Sequence, residues 1–328
     1  MSAFRLAHFV RATACALLAT LAFAVPAHAA FPERPITLVV PSAPGGTPDQ
    51  LMRFLALKTQ ERFGANIVVE NRPGASGIPG INAVYRARPD GYTIGYANNV
   101  TLAINRSAFK ELPYDPTKLV PIAFVMKIAN ILAVDPKLPV KTLDEFLAYA
   151  KDNPGKVTFA SPGQGTSGHL TGELLADTAQ VQLLHVPYRG SPQATTDVIG
   201  GLVNAIFDNT TSISPHIRSG ALRPLAVTSL KRSPSFSDLP TVAETKLPGF
   251  EGVAWGGIVT TPGTPPDVVA KLVEMFGAVL EDPAVTKELV RMGVDEVMHG
   301  DPASLMEYAE KETVKWAEVI KNADIPKQ

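Results

Sequence analysis

Short β-branched runs alternate with stretches of helical period along this chain, in two successive series, and that alternation leaves few folds open. ITLVV (36–40), bounded by Pro35 and Pro41, reads as a buried strand. Residues 48–62 then place Leu51, Phe54, Leu55 and Lys58 at helical spacing, and NIVVE (66–70) is a second strand. A short helix over 78–88 ends at the turn signal Pro89-Asp90-Gly91, and YTIGYA (92–97) is a third strand. Such a βαβαβ run implies a parallel sheet. The second series opens with the long strand-like VPIAFVMKIANILAV (120–134). Thr142 then caps a helix through residue 151, with Glu145 at the capping-box position. KVTFA (156–160), VQLLHV (181–186), NAIFD (204–208) and residues 222–227 read as strands, separated by helices over 167–179, 191–200 and 212–219.

After Pro240 come one strand-like run, WGGIVT (255–260), and three helices near 265–280, 283–292 and 302–321. The last carries Leu305, Tyr308, Val314, Trp316 and Val319. One strand cannot cover the apolar faces of three helices, so this block is expected to pack back on the first series. The expected division is a discontinuous first lobe, 30–125 plus 229–328, and a second lobe, 126–228, with crossovers near 125 and 228. Two α/β lobes joined by two crossing segments describe a hinged ligand trap. The 328 residues suit two units, since single cores stop growing near about 250–300 residues.

The first 29 residues read as a secretory signal instead of fold. Arg5 and Arg11 form a positive n-region, Ala12–Val25 is apolar, Pro26 breaks the run, and Ala27-His28-Ala29 is a small-x-small cleavage site near Ala29/Ala30. The apolar run is too short for a confident membrane span, and no later stretch reaches the roughly 18 residues that one needs. Cleavage would remove Cys15, the one cysteine, which excludes a disulfide framework and a cysteine metal cluster. It would leave 28 basic against 31 acidic residues. That balance argues against a nucleic-acid binder and a polybasic membrane-surface protein. The expected product is an exported, periplasmic protein, for which ATP or nicotinamide chemistry is improbable; no cofactor and no metal are expected.

Two glycine-rich strand-to-helix loops carry the chemistry. The first is Pro41-Ser42-Ala43-Pro44-Gly45-Gly46-Thr47-Pro48-Asp49, the second Ser161-Pro162-Gly163-Gln164-Gly165-Thr166-Ser167-Gly168-His169. Glycine lets backbone N–H groups turn outward, and a helix N-terminus adds about half a positive charge, so such loops bind anions without Lys or Arg. One loop falls in each expected lobe, at the carboxyl ends of strands where ligands of open α/β sheets sit.

Competing readings fit less well. Gly163, Gly165 and Gly168 match G-x-G-x-x-G, but no acid ends the next strand, and His169 stands where a P-loop requires Lys. Gly165-Thr166-Ser167-Gly168-His169 is close to the G-x-S-x-G of a secreted hydrolase using Ser167 and His169, with His replacing the final Gly. Asp208 and His185 would complete a triad only by spatial accident. His169 and Glu173 have i,i+4 spacing but no third metal ligand. Further candidate ligand contacts are Asn98, with Asn99 and Thr101, after the third strand; Tyr188 and Arg189; and Asp208, which would repel an anion but accept an ammonium or hydroxyl. Trp255 could line a cleft or pack in the core.

In order along the chain, RPITLVVPSAPGGTPD, VVENRPGASG, ARPDGYT, YAKDNPGKVTFASPGQGTSGHLTGELL, HVPYRGSPQATTDVIGG, AIFDNTTS, LAVTSLKRSPSFSDLPTVAE and LPGFEGVAWGG resemble the Bug (TctC) family. These are periplasmic solute receptors of tripartite tricarboxylate transporters, and the resemblance runs from residue 31 to about 324. It implies an α/β periplasmic-binding-protein fold of type II and no enzymatic activity. It also implies a monomer that holds a small organic acid (a di- or tricarboxylate, amino acid or aromatic carboxylate) and delivers it to membrane permease subunits. A receptor that feeds a signalling kinase is the variant of this reading. Carried over, the family's contacts fall on Ala43, Gly45, Gly46, Thr47 and Asp49, on Ser161, Gly165, Thr166 and His169, and on Asp208. Ser42 departs from the pattern, where a bulkier residue is frequent, and leaves the pocket larger or wetter.

Overall fold

The computed structural model describes residues 31–323 and 325–327. The expected secretory segment lies outside the described residues. Arg34–Gln328 form one compact unit.

The first series folds as β1 (Ile36–Val40), α1 (Thr47–Phe63), β2 (Ile67–Asn71), α2 (Ile78–Tyr85) and β3 (Thr93–Asn98). These strands pair in parallel, with Leu38 opposite both Val69 and Ile94. Gly64 ends α1 in a left-handed conformation (φ 70°), its N–H returning to Gln60 O, a conformation that glycine adopts without a Cβ penalty. The second series is β4 (Val120–Val134), α4 (Leu143–Asp152), β5 (Val157–Ser161), α5 (Ser167–Ala179), β6 (Leu183–Pro187), α6 (Ser191–Ile199), β7 (Ala205–Asn209), α7 (Thr210–Arg218) and β8 (Arg223–Val227). Between the two, α3 is a single turn, Asn105–Ala108. The capping box at α4 forms as its spacing predicts: Thr142 Oγ1 accepts from Glu145 N (3.2 Å), and Glu145 reaches back to the N–H of Lys141 (2.6 Å).

The terminal block contributes β9 (Val253–Thr260), α8 (Pro266–Leu280), α9 (Pro283–Arg291), the two-residue β10 (Glu296–Val297) and α10 (Ala303–Asn322). β9 inserts between β3 and β4, antiparallel to both, so the sheet runs β2-β1-β3-β9-β4-β7-β5-β6. The α10 helix lays Leu305, Ala309, Trp316 and Ile320 on the core formed by β3, β9 and Leu170 of α5. Glu312 is buried there, and its Oε2 accepts from the indoles of Trp255 (3.1 Å) and Trp316 (2.8 Å) while Lys315 pairs with Oε1. A buried carboxylate is tolerated because its lone pairs are met. Trp255 is therefore a fully buried core residue.

β4 belongs to two halves of the sheet. Its residues Val120–Ala129 pair with β9, and Asn130–Val134 pair with β7. At the handover sits Asn130, fully buried. Its Nδ2 donates to Thr171 Oγ1 (3.2 Å) and Gly252 O (3.1 Å), and its Oδ1 accepts from Ser167 Oγ (3.3 Å) and Asn209 Nδ2 (3.1 Å). Thr228, just past β8, joins the same knot through Asn130 N and O and through Gly252 O. Asn130→Ala strands several of these groups, each costing about 1–3 kcal/mol when buried unpaired. We expect a loss of about 2 kcal/mol or more in urea unfolding at an unchanged m value; a loss below about 0.5 kcal/mol would show that the knot is not a stabilising node.

Candidate functional site

Strand register decides what the two glycine loops do. β4 is antiparallel to β9 and to β7, so β1 and β3 run opposite to β5 and β7. The carboxyl end of β3 (Asn98) lies level with Gly256 and hence Met126, while that of β7 (Asn209) lies level with Asn130. The two sets of carboxyl ends therefore face each other across four residues of β4, roughly 13 Å at 3.3 Å per residue. Both loops open into this space, and Thr47 at the start of α1 bridges it. Its hydroxyl donates to Thr211 Oγ1 (2.9 Å) and lies 2.9 Å from Ser212 Oγ, both on the first turn of α7.

The first loop is braced from behind. Asp49, nearly fully buried, accepts from Gly45 N–H (2.8 Å), Asn71 Nδ2 (2.9 Å) and Arg53 Nε (2.9 Å). Burial pushes its carboxyl up, but the Gly45, Arg53 and Asn71 bonds outweigh this and hold it below its ordinary value. Asn71 also donates to Ser42 O (3.2 Å), and Gly45 sits at φ 78°. Asp49 and the Gly45 N–H are thus spent on each other; Ala43 and Gly46 close the turn through Gly46 N–H and Ala43 O (3.4 Å). α1 starts at Gly46 with no side-chain cap, which leaves first-turn N–H groups of α1 without one. The Ser42 hydroxyl oxygen is buried with no partner.

The second loop rests on two stacked imidazoles. Gly165 N–H donates to His169 Nδ1 (3.0 Å), so the His169 proton sits on Nε2, 3.6 Å from Glu173. The ring lies 3.9 Å from that of His185, whose Nε2 meets Ser161 Oγ at 2.7 Å. Burial first, and the neighbouring His169 second, push His185 down to about 3, so it is neutral at any physiological pH. Thr166 caps α5 through His169 N–H (3.4 Å) and holds Gly163 O (2.7 Å). Ser167 donates to Asn130, and His169 accepts from Gly165, so the two do not pair as nucleophile and base.

The remaining candidates divide. Asn98 and Thr101 cap each other, Oδ1 accepting from Thr101 N (3.1 Å) and Asn98 N donating to Thr101 Oγ1 (3.0 Å). The Tyr188 hydroxyl donates to Asp197 Oδ2 (2.7 Å), and burial with that partner raises it to about 12. Arg189 is exposed and none of the described ion pairs includes it. Asp208 is buried at the end of β7, and burial pushes it up to about 7; the Ser191 hydroxyl and Asn209 N–H offset this only in part. Asn71, Ser76, Asn130, Thr211 and Ser212 are the residues that sequence reasoning passed over. Ser76 (φ 53°) is held by Asn105 Nδ2 on its carbonyl (3.1 Å) and shares a small crevice with Gly165, His169 and Leu170. Asn71, Ser76, Thr211 and Ser212 lie inside the motifs NRPGASG and DNTTS, where position in the motif was the available signal.

Opposed strand ends that carry two glycine-rich loops are the arrangement of a solute-binding protein of periplasmic-binding fold. Residues 42–325 match the family described as the tripartite tricarboxylate transporter family receptor. The chain belongs to that family. It is 34% identical over 307 residues to the protein BugT of Bordetella pertussis, covering 93% of this chain and 94% of that one. Among solved structures it is similar to an R. palustris protein with adipate (34% identity, TM-score 0.85, 90% of this chain and 99% of that one). It is also similar to MatC from Rhodopseudomonas palustris with bound malate (29%, 0.79, 88% and 100%). The family's members are receptors, so the hydrolase reading falls.

Asp49 offers a test of the first loop. A carboxyl held low stabilises the fold above its unfolded value near about 3.9, and the increment is lost as pH falls through the lower folded value. Asp49→Asn should be less stable than the wild type near neutral pH, and the difference in stability should shrink as the pH is taken below the ordinary carboxylate value. A difference that stays constant across that acid range would remove the ionised brace.

Proposed function

We propose that this protein captures a small organic carboxylate between the loops 41–49 and 161–169 and delivers it to the membrane permease of a tripartite transporter. In this reading the segment 1–29 exports the chain to the periplasm, where it acts as a monomer. The halves of the sheet on either side of Asn130 are the lobes that close on the ligand. The observation that supports it most is the β4 register, which sets two lysine- and arginine-free glycine loops and the uncapped start of α1 against each other. Related structures with adipate and malate support a carboxylate as the ligand class. A hydrogen bond to a charged group contributes about 1.5–3 kcal/mol. Four such bonds, less the cost of immobilising ligand and lobes, reach micromolar affinity, about −8 kcal/mol. Ligand-driven closure then requires only that the closed form bind more tightly than the open one.

Calorimetric titration of refolded protein, freed of carried-over ligand, tests this. The panel is citrate, C4–C6 dicarboxylates, acidic amino acids and aromatic carboxylates. We expect one-to-one, micromolar binding of at least one acid without its consumption, weakened about tenfold by Thr47→Val. Silence across the panel, or turnover of a bound acid, would sink the proposal.

A further inference from the structure

His185 belongs to neither glycine loop, yet two glycines of the second loop depend on it. It stands opposite Phe159 in the pairing of β5 with β6, two residues short of the carboxyl end of β6. Its ring contacts two others, that of Phe159 with centroids 4.9 Å apart and that of His169 on α5 at 3.9 Å. Phe159 in turn meets Phe207 of β7 edge to face at 5.6 Å, which anchors this row of rings in the core. A Cβ on Gly172 of α5 would run into the Phe159 ring, so glycine there lets the helix close on the row. The other end of the row is the loop. His169 takes the Gly165 N–H on Nδ1 (3.0 Å). His185 Nε2 meets the Ser161 hydroxyl oxygen (2.7 Å), which also donates to Gly163 O (3.1 Å) and accepts from Gly163 N–H (3.2 Å). A hydroxyl has one donor and two acceptor positions, so Ser161, fully buried, has none left for a ligand. Its part in the site runs through Gly163. The titratable groups that face His185 are His169 and, past it, Glu173, 3.6 Å from His169 Nε2. Burial and His169 keep the His185 ring neutral.

We infer that His185 is a positioning residue for ligand binding: from outside the loop it sets Gly163 through Ser161 and Gly165 through His169, and so holds the second loop in the shape that takes the acid. The inference rests on the receptor reading above. The position asks two things of one side chain, a flat ring to stack on Phe159 and His169 and a ring-edge nitrogen for Ser161. Histidine supplies both; phenylalanine keeps only the first, and glutamine only the second. A loop already in its bound shape needs no ordering by the ligand. Apparent affinity falls in proportion to the fraction of molecules with the loop in shape, so a lost brace that leaves about one molecule in ten competent weakens binding about tenfold.

The test is calorimetry of the wild type and of His185→Leu, His185→Phe and His185→Gln, at a temperature where circular dichroism shows each variant folded. Citrate, malate, succinate, adipate, glutamate and benzoate are titrated into the wild type, and the tightest binder of these is the probe for the variants. We expect His185→Leu to weaken binding at least about fivefold, with His185→Phe and His185→Gln between it and the wild type. In a Ser161→Ala background the exchange His185→Phe should cost less than about twofold, because the bond that it removes is already gone. A smaller loss in His185→Leu, with only its melting temperature lowered, would make the histidine a stabilising residue, overturn the inference and leave the receptor reading standing. So would a His185→Phe effect as large without the Ser161 hydroxyl as with it. Failure of every acid to bind the wild type removes both readings. Ring nitrogen NMR of the wild type decides the matter even if no variant folds. His185 should stay neutral from about pH 8 to about pH 5, and a midpoint near the ordinary value of about 6.5 would show a ring free of its partners and overturn the inference.

Discussion

The structure depends on how one strand passes from one half of the sheet to the other. β4 is fifteen residues long, and its change of partner from β9 to β7 falls at Asn130. A buried amide has two donors and an acceptor that must all be met, and three different segments meet them: α5 through Ser167 and Thr171, β7 through Asn209, and the return of the chain at Gly252. Thr228 ties the outgoing and returning strands at the same level. Because the pairing on both sides is antiparallel to β4, the parallel strands of the two halves must point toward each other. The opposed loops follow from that geometry.

The loops themselves are organised by bonds they make internally. Gly45 N–H is occupied by Asp49, and Gly165 N–H by His169. Each bond fixes a turn and determines which neighbouring N–H groups are left to face the cleft. Ordering that is already present before a ligand arrives does not have to be supplied by binding. The second loop achieves this with a histidine that burial keeps uncharged, stacked on a second whose ring nitrogen accepts from the backbone. A charge on either ring would place a cation beside its neighbour and, on His169 Nδ1, oppose the Gly165 N–H. The first loop uses an ionised carboxylate instead, paired with an exposed arginine.

Much of the fold was legible from periodicity. The apolar run 120–134 matches β4 residue for residue, and the helix starts at Ser167, Ser191 and Pro283 follow from Thr, Gly and Asp at the preceding position. Errors lie at ends without a strong stop. The helix expected over 78–88 ends at Tyr85, and the helix expected from 212 begins at Thr210, with Asn209 at the capping position but making no side-chain cap bond. β10 has only two residues, too few for any period, and exists because Glu296 and Val297 pair with Lys127 and Met126.

Local chemistry determined the loops, because glycine at φ 78° and 74° and a Thr cap are properties of a few consecutive residues. It determined the signal-like start, the balanced charge and the motifs that carry the family resemblance. Contacts between residues more than about 15 positions apart were decided only by the tertiary structure. These are the Asn71 brace on Asp49, the Ser161–His185–His169 stack, the Thr47 bridge to Thr211 and Ser212, and the convergence on Asn130. None has a sequence period, since each depends on which strands lie side by side and in which direction, and that is settled by the packing of whole faces. The same reason separates Trp255, which the buried Glu312 places in the core and not in the cleft, from Asp208, whose buried carboxyl no local pattern could announce.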